Sequence, residues 1–316
     1  MTNGGMAEFG LVRVWERALA YMQKDEGLGW SNAGIIRGKD GVLLIDTLFD
    51  LNLTKTMLDQ IARRVGKPIK WVVNTHHNGD HCWGNQLVKD AEIIGHRLFP
   101  EEMKKNPPEM LAGLADMVGD MPGMAALGEA MKQFDLSGIE LTPPTRLIDD
   151  ELTLTIDDRE VKIICVGPAH TSTDIIVYFP DEKVLYAGDI IFRLCTPIGW
   201  EGTYEKWIAA LDKIIAFDPR KIVPGHGPLC GVEGAVAMKE YFQYVYGEAK
   251  KCFDDGMTVA EAAKKIDYGP YADWTEPERI AFNVSRAYRE FRGEPHDTPI
   301  DIMEMAAIMA DLRENK

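Results

Sequence analysis

The stretch Trp71-Val-Val-Asn-Thr-His-His-Asn-Gly-Asp-His-Cys-Trp-Gly-Asn85 decides how the rest of the chain is read. The apolar run from Ile69 to Val73 has the length and composition of a buried strand. It runs into a polar loop holding His76, His77, Asp80 and His81. Imidazole and carboxylate groups bind divalent transition metals, and packing them side by side serves no apolar purpose. The loop is a candidate metal site.

Working outward, three later segments share this form. Val161 to Val166 reads as a strand and leads into Gly167-Pro-Ala-His-Thr171. Asp174 to Phe179 and Lys183 to Tyr186 read as a hairpin around Pro180-Asp-Glu, which continues into Ala187-Gly-Asp189. Lys221-Ile-Val-Pro-Gly-His-Gly227 is a short strand with its own histidine. In each, an apolar strand ends at His170, Asp189 or His226 beside a glycine, which lets the backbone turn sharply next to the ligand-type residue. Upstream, Ala33 to Arg37 and Val42 to Asp46 flank the turn Gly38-Lys-Asp-Gly41 as a hairpin, and Leu51 to Val65 has helical periodicity. Gly84 and Asn85 are expected to open a short helix, Glu92 to Gly95 a further strand, and Thr203 to Phe217 an amphipathic helix.

The run His76-His77-Asn78-Gly79-Asp80-His81, followed in order by His170, Asp189 and His226, resembles the metallo-β-lactamase superfamily. Its signature is H-x-H-x-D-H after a strand; here Asn78 stands where the second histidine is expected. The resemblance covers roughly residues 30–230 and implies an α/β (α+β) fold, the αββα sandwich. It also implies two metal positions, one with His76, His170 and Asn78, the other with Asp80, His81 and His226, and Asp189 bridging them. Zinc, as one or two ions, is the expected cofactor. Asn78 offers only an amide oxygen, so the first position is expected to be weak, or to take a harder ion such as Mn or Fe. A bound divalent ion lowers the pKa of its water from 15.7 toward about 7, giving a hydroxide that attacks carbon, phosphorus or sulfur. Asp80 and His77 are the candidate catalytic residues, His77 either as a proton donor lining the pocket or as an exposed loop histidine. Asp46 either supports the metal loop or caps a helix, and His96 lies outside the ligand set. Cys82 is read as packing, since metal chemistry already supplies a nucleophile. Trp83, Phe192 and Trp200 follow ligand segments and are candidates for an apolar pocket wall, with core packing as the alternative.

With 316 residues, 46% of them hydrophobic and 27% charged, the chain has the composition of a globular protein with a sizeable core. A net charge of -15 disfavours a nucleic-acid groove, which needs Lys and Arg to replace counterions. No apolar run approaches the roughly 20 residues that span a bilayer. Met1-Thr-Asn-Gly-Gly lacks the basic and apolar regions of a secretory leader, and the five cysteines form no C-x-x-C pair, so free thiols in a reducing cytoplasm are expected. Residues 1–230 are expected to form the metallo-β-lactamase-like domain, with a helical insertion at about 100–135. That insertion carries or adjoins Met103, Met110, Met117, Met121, Met124 and Met131, with Gly113, Gly119, Gly123 and Gly128 between them. Methionine adapts to varied apolar partners, so residues 107–131 are read as a lid over the site, with helix packing or an oligomer contact as the alternative. Residues 231–316 read as a C-terminal helical extension packed on the domain and on a partner subunit, giving a homo-oligomer or a complex with a similar chain.

These readings imply a metal-dependent hydrolase acting on a small, partly apolar ester, lactone, thioester or activated aryl ether. The segments G-D-H-C-W-G-N and T-P-I-x-W also resemble members in which hydrolytic O-demethylation of nitroanisoles is an activity. Asn78 favours a rival reading, a non-catalytic or regulatory subunit with an impaired metal site.

Overall fold

The computed structural model describes residues 9–24, 27–117 and 125–315. Residues 1–8, and Met121 and Met124 with Gly119 and Gly123, lie outside them. Among the described residues the strands form two sheets. The first runs in chain order through β1 (Gly10–Arg13), β2 (Ala18–Met22), β3 (Ala33–Arg37), β4 (Val42–Ile45), β5 (Ile69–Val73), β6 (Glu92–His96) and β7 (Arg146–Ile148). β1 to β4 are an antiparallel meander, and β4 to β7 are parallel. Helix α1 (Leu51–Arg64) is the crossover between β4 and β5, and Asp50 caps it by accepting from Leu53 N at 2.7 Å. The second sheet has the order β12 (Lys221–His226), β11 (Val184–Phe192), β10 (Ile175–Phe179), β9 (Arg159–Cys165), β8 (Glu151–Ile156), with β11 and β12 parallel.

Side-chain alternation explains the layering. Leu43 and Ile45 of β4 face the second sheet, while Val42 and Leu44 face Met57 and Ile61 of α1. Val184 and Tyr186 of β11 face the first sheet, while Leu185 and Ala187 meet α6 (Tyr204–Phe217) and α7 (Val232–Asp254). The result is an αββα sandwich. β11 is buried along its whole length because helices cover one face and the first sheet the other. Tyr186 crosses the seam and donates to Leu19 O at 3.2 Å and Ile35 O at 3.1 Å. Its ring occupies the space above Gly34, where a Cβ would lie 2.2 Å from it.

The remaining helices follow β6 and α7. α3 (Phe99–Glu102), α4 (Pro108–Met117) and α5 (Ala125–Met131) follow β6, while α8 (Val259–Lys265), α9 (Ile280–Phe291) and α10 (Ile302–Asn315) follow α7. Among the described residues, no helix is long and apolar enough to cross a membrane. The metal loop differs from its expected shape. The helix opens at Gly79 rather than at Gly84, as α2 (Gly79–Cys82), and a 3-10 helix over Trp83–Val88 follows. Gly84 lies inside that 3-10 helix and packs on Thr54, where a Cβ would meet the side chain at 2.2 Å.

Candidate metal centre

The ends of β5, β9 and β12 and the middle of β11 meet at one point. Asp189 was expected in a turn after its strand; it lies inside β11, where a register shift beside Gly188 (φ +51°) turns its carboxylate toward the loops. Asp189 Oδ1 is 3.1 Å from His81 Nε2. Asp189 Oδ2 is 3.2 Å from His226 Nε2, 3.4 Å from His170 Nε2 and 3.8 Å from His76 Nε2. Asp80 Oδ2 lies 3.4 Å from His226 Nε2 and 3.6 Å from His81 Nε2. β12 passes so close that a Cβ on Gly225 would fall 2.0 Å from Asp189 Oδ1.

Each of these histidines is oriented from behind by its other nitrogen. His81 Nδ1 lies 2.9 Å from Asp46 Oδ2, His170 Nδ1 3.0 Å from Ile198 O, and His226 Nδ1 2.9 Å from Trp30 O. His76 Nδ1 lies 3.0 Å from Thr75 Oγ1, whose own proton goes to Asp46 Oδ2 at 2.7 Å. Every Nδ1 therefore faces an acceptor and carries the proton, which leaves the Nε2 lone pairs turned inward. His76 Nε2, His81 Nε2 and Asp189 Oδ1 are buried with no hydrogen-bond partner. Buried polar atoms left without partners are costly, and here they converge with one geometry. This donor set fits a divalent metal ion. The groupings His76, His81, Asp189 and Asp80, His81, His226 each bring their ligand atoms within 4.8 Å of one another.

Burial and the acidic side chains pull these histidines in opposite directions. Burial drives His76 well below the usual histidine range and lowers His170, so both present neutral, ligand-ready imidazole. Burial opposes charge on His81 and His226 as well, but Asp189 and Asp80 outweigh it and raise both. Burial also penalises the Asp189 carboxylate, yet His226, His81 and His76 hold its pKa well below the ordinary value.

The other expected site residues are placed as follows. Asn78 reaches the centre from the N-terminal edge of α2, with Nδ2 3.2 Å from His170 Nε2. His77 turns away from the converging donors: its Nδ1 meets Thr173 Oγ1 at 2.9 Å, and its ring lies edge-on to Phe99. Burial pushes its pKa down to about 3. His77 lines the cavity as a buried, neutral imidazole rather than as an exposed loop residue. His77, Glu102 and Glu201 also come within 4.8 Å of one another. Lys105 Nζ already sits 2.5 Å from Glu102 Oε2, and Ser172 N donates to Glu201 Oε2 at 2.6 Å, so those carboxylates are compensated. His96 stays outside, accepting from Leu98 N. Cys82 is fully buried, and burial raises its thiol pKa well above the ordinary value, so it packs and does not react.

A cavity of about 500 Å³ opens onto Asp80, Asp189, His170 and His226. Trp83, Phe192 and Trp200 all line it. Trp83 stacks on Phe49 at 4.9 Å, Phe192 on His226 at 4.9 Å, and Trp200 on Phe282 at 5.9 Å. Leu111, Ala130 and Met131 of the insertion form one side, and Ile302, Ala306 and Met309 of α10 another.

A sequence profile of the metallo-beta-lactamase superfamily matches residues 27–226, and the chain belongs to that superfamily. A linear primary-alkylsulfatase from Pseudomonas sp. is 25% identical over 304 residues, covering 85% of this chain and 57% of the relative. The alpha subunit of a 2,4-dinitroanisole O-demethylase from Nocardioides sp. is 25% identical over 196 residues, covering 60% of this chain and 51% of the relative. The structure of a stereoselective inverting sec-alkylsulfatase from Pseudomonas sp. superposes with a TM-score of 0.66 at 21% identity, over 93% of this chain and 52% of that one. The chain thus spans about half the length of these relatives.

Several residues that shape the centre were not singled out from sequence. Asn85 donates to Asn74 Oδ1 at 2.8 Å and to Thr142 O at 2.9 Å, while Asn74 donates to His81 O at 3.1 Å. This amide pair fixes the loop from below. The sequence trace of it is two asparagines flanking the histidines, a pattern too common to read alone.

Proposed function

We propose that the chain hydrolyses a small ester whose alcohol portion is apolar, with a sulfate ester of an alkyl chain as the first substrate class to test. One observation carries this reading: the likeness to the alkylsulfatase covers 85% of the chain, more than the sandwich up to residue 226 supplies. It therefore extends past the sandwich into the helices that follow β12. Ile302, Ala306 and Met309 of α10, facing Trp83 and Met131, suit an alkyl chain. His76, His170 and Asn78 would hold one divalent ion and Asp80, His81 and His226 another, with Asp189 between them. A metal bound there lowers the pKa of water and acts as a Lewis acid toward an ester oxygen. Asp80 lines the cavity beside His226 and would take a proton from an attacking water. Phe192 and Trp200 line the same cavity and would give its wall an apolar surface.

Zinc- or manganese-loaded protein should release sulfate from medium-chain alkyl sulfates and lose that activity after chelation. Turnover of carboxylic esters, lactones or thioesters with none of alkyl sulfates would redirect the substrate class, and full activity after complete metal removal would end the reading. The second reading, hydrolytic O-demethylation of a nitroanisole, is supported by the Nocardioides relative and is scored in the same screen by nitrophenol release. A complex with a similar chain belongs to that reading, because the relative is named as a subunit; light scattering tests it.

A further inference from the structure

The loop after β11 presents three consecutive carbonyl groups, and each is taken by a different donor. Arg279 Nη1 donates to Thr196 O at 3.3 Å, Asn283 Nδ2 to Pro197 O at 3.0 Å, and His170 Nδ1 to Ile198 O at 3.0 Å. Two more backbone bonds hold the ends of this strap. Thr196 N donates to Thr275 O at 2.9 Å, and Glu201 N donates to His170 O at 2.9 Å. The first two side-chain donors come from the C-terminal helices, and the third belongs to the metal centre.

Asn283 is fully buried in α9. Its second N–H goes to Tyr241 Oη on α7 at 2.9 Å. Pro197 O can only accept, so the amide edge facing it is the NH₂ group. The strap lies flat on α9: a Cβ on Gly199 would be 3.1 Å from Asn283 Oδ1 and 3.2 Å from Arg286 Cβ.

We infer that Asn283, assisted by Arg279, is a positioning residue for His170, acting through the strap Thr196–Pro197–Ile198. This role rests on the reading of His170 as a metal ligand. A carbonyl that orients a ligand imidazole must itself be fixed, because the ring follows its acceptor. Here the neighbouring carbonyls are pinned to α9, so Ile198 O cannot swing without breaking two buried hydrogen bonds. The C-terminal extension thereby reaches the metal centre without contributing a ligand.

The test is stepwise zinc titration of chelator-stripped protein against a competing chromophoric chelator, together with the visible spectrum of the cobalt(II)-substituted protein. Asn283→Leu, close to isosteric, should weaken only the site holding His170, by about 10–100-fold, and alter the cobalt spectrum. Tyr241→Phe removes the other partner of the same amide and should bind both ions as wild type does, which separates positioning from general loss of packing. His170→Ala should abolish the same site. If His170→Ala loses a site and Asn283→Leu keeps wild-type affinity and spectrum, the strap inference is overturned while the ligand assignment stands. If His170→Ala binds as wild type, the ligand assignment itself fails. Should Asn283→Leu not fold by circular dichroism, Arg279→Met, which releases Thr196 O instead, is read in the same titration with the same criteria.

Discussion

Asp46 governs two histidines without touching the cavity. Its Oδ1 accepts from Thr75 N at 2.7 Å, and its Oδ2 takes Thr75 Oγ1 at 2.7 Å and His81 Nδ1 at 2.9 Å. It holds a left-handed backbone, φ +64°, at the end of β4 to do so. The helix cap that was its alternative reading belongs to Asp50. Asp46→Ala should lower metal affinity by about 10–100-fold, and a titration curve like that of wild type would contradict this. Asn78→His should tighten the site shared with His170, because an imidazole replaces an amide that now points its NH₂ at His170 Nε2. Two sites already equally tight in the wild type, and unmoved by the substitution, would show that Asn78 is no deficit. The converging residues were legible because histidine and aspartate at strand ends are rare without a purpose. Thr75, Asn74 and Ile198 were not, because a hydroxyl, an amide or a carbonyl that orients a ligand looks like any loop polar group until the fold brings it near.

At the scale of elements, short apolar runs joined by tight turns, such as β3–β4 and β10–β11, could be read directly. The start of α2 and the role of α10 could not. A helical apolar face announces that it is covered, not by what, and α10 turns Ile302, Ala306 and Met309 onto the cavity. Trp200→Ala should lower kcat/KM for long-chain substrates about 10-fold or more through lost apolar contact, with a smaller effect on short ones; an equal loss for both would argue against a wall role. The loop bearing His170 adds a pH dependence. Asp174 accepts from Ala169 N and from both the N–H and the hydroxyl of Thr171, yet burial raises its pKa to about 7. The folded state then holds this proton more tightly than the unfolded chain. Stability from this group is full below the unfolded value of 3.8 and is lost as pH rises through about 7. Asp174→Asn should flatten the fall in Tm between those pH values; parallel melting curves across the range would refute it.

For the molecule as a whole, the seam between the sheets is the determining surface. Tyr186→Phe removes the hydroxyl shared by Leu19 O and Ile35 O across it and should cost about 0.5–1.5 kcal/mol in urea unfolding; a change under a few tenths would mean that the hydroxyl does not hold the seam. The metal centre sits at the open end of that same seam. His76, Asp80 and His81 leave the first sheet after β5, whereas His170, Asp189 and His226 belong to the second. A tightly held ion would therefore act as a clasp between two layers far apart in the chain. At a free concentration one hundred times its Kd, it adds about 2.7 kcal/mol to global stability. In cells short of that ion, the first injury would be mechanical: the layers would part at the open end, and proteases would reach the Val73–Asn85 loop and β12 before any other part of the sandwich.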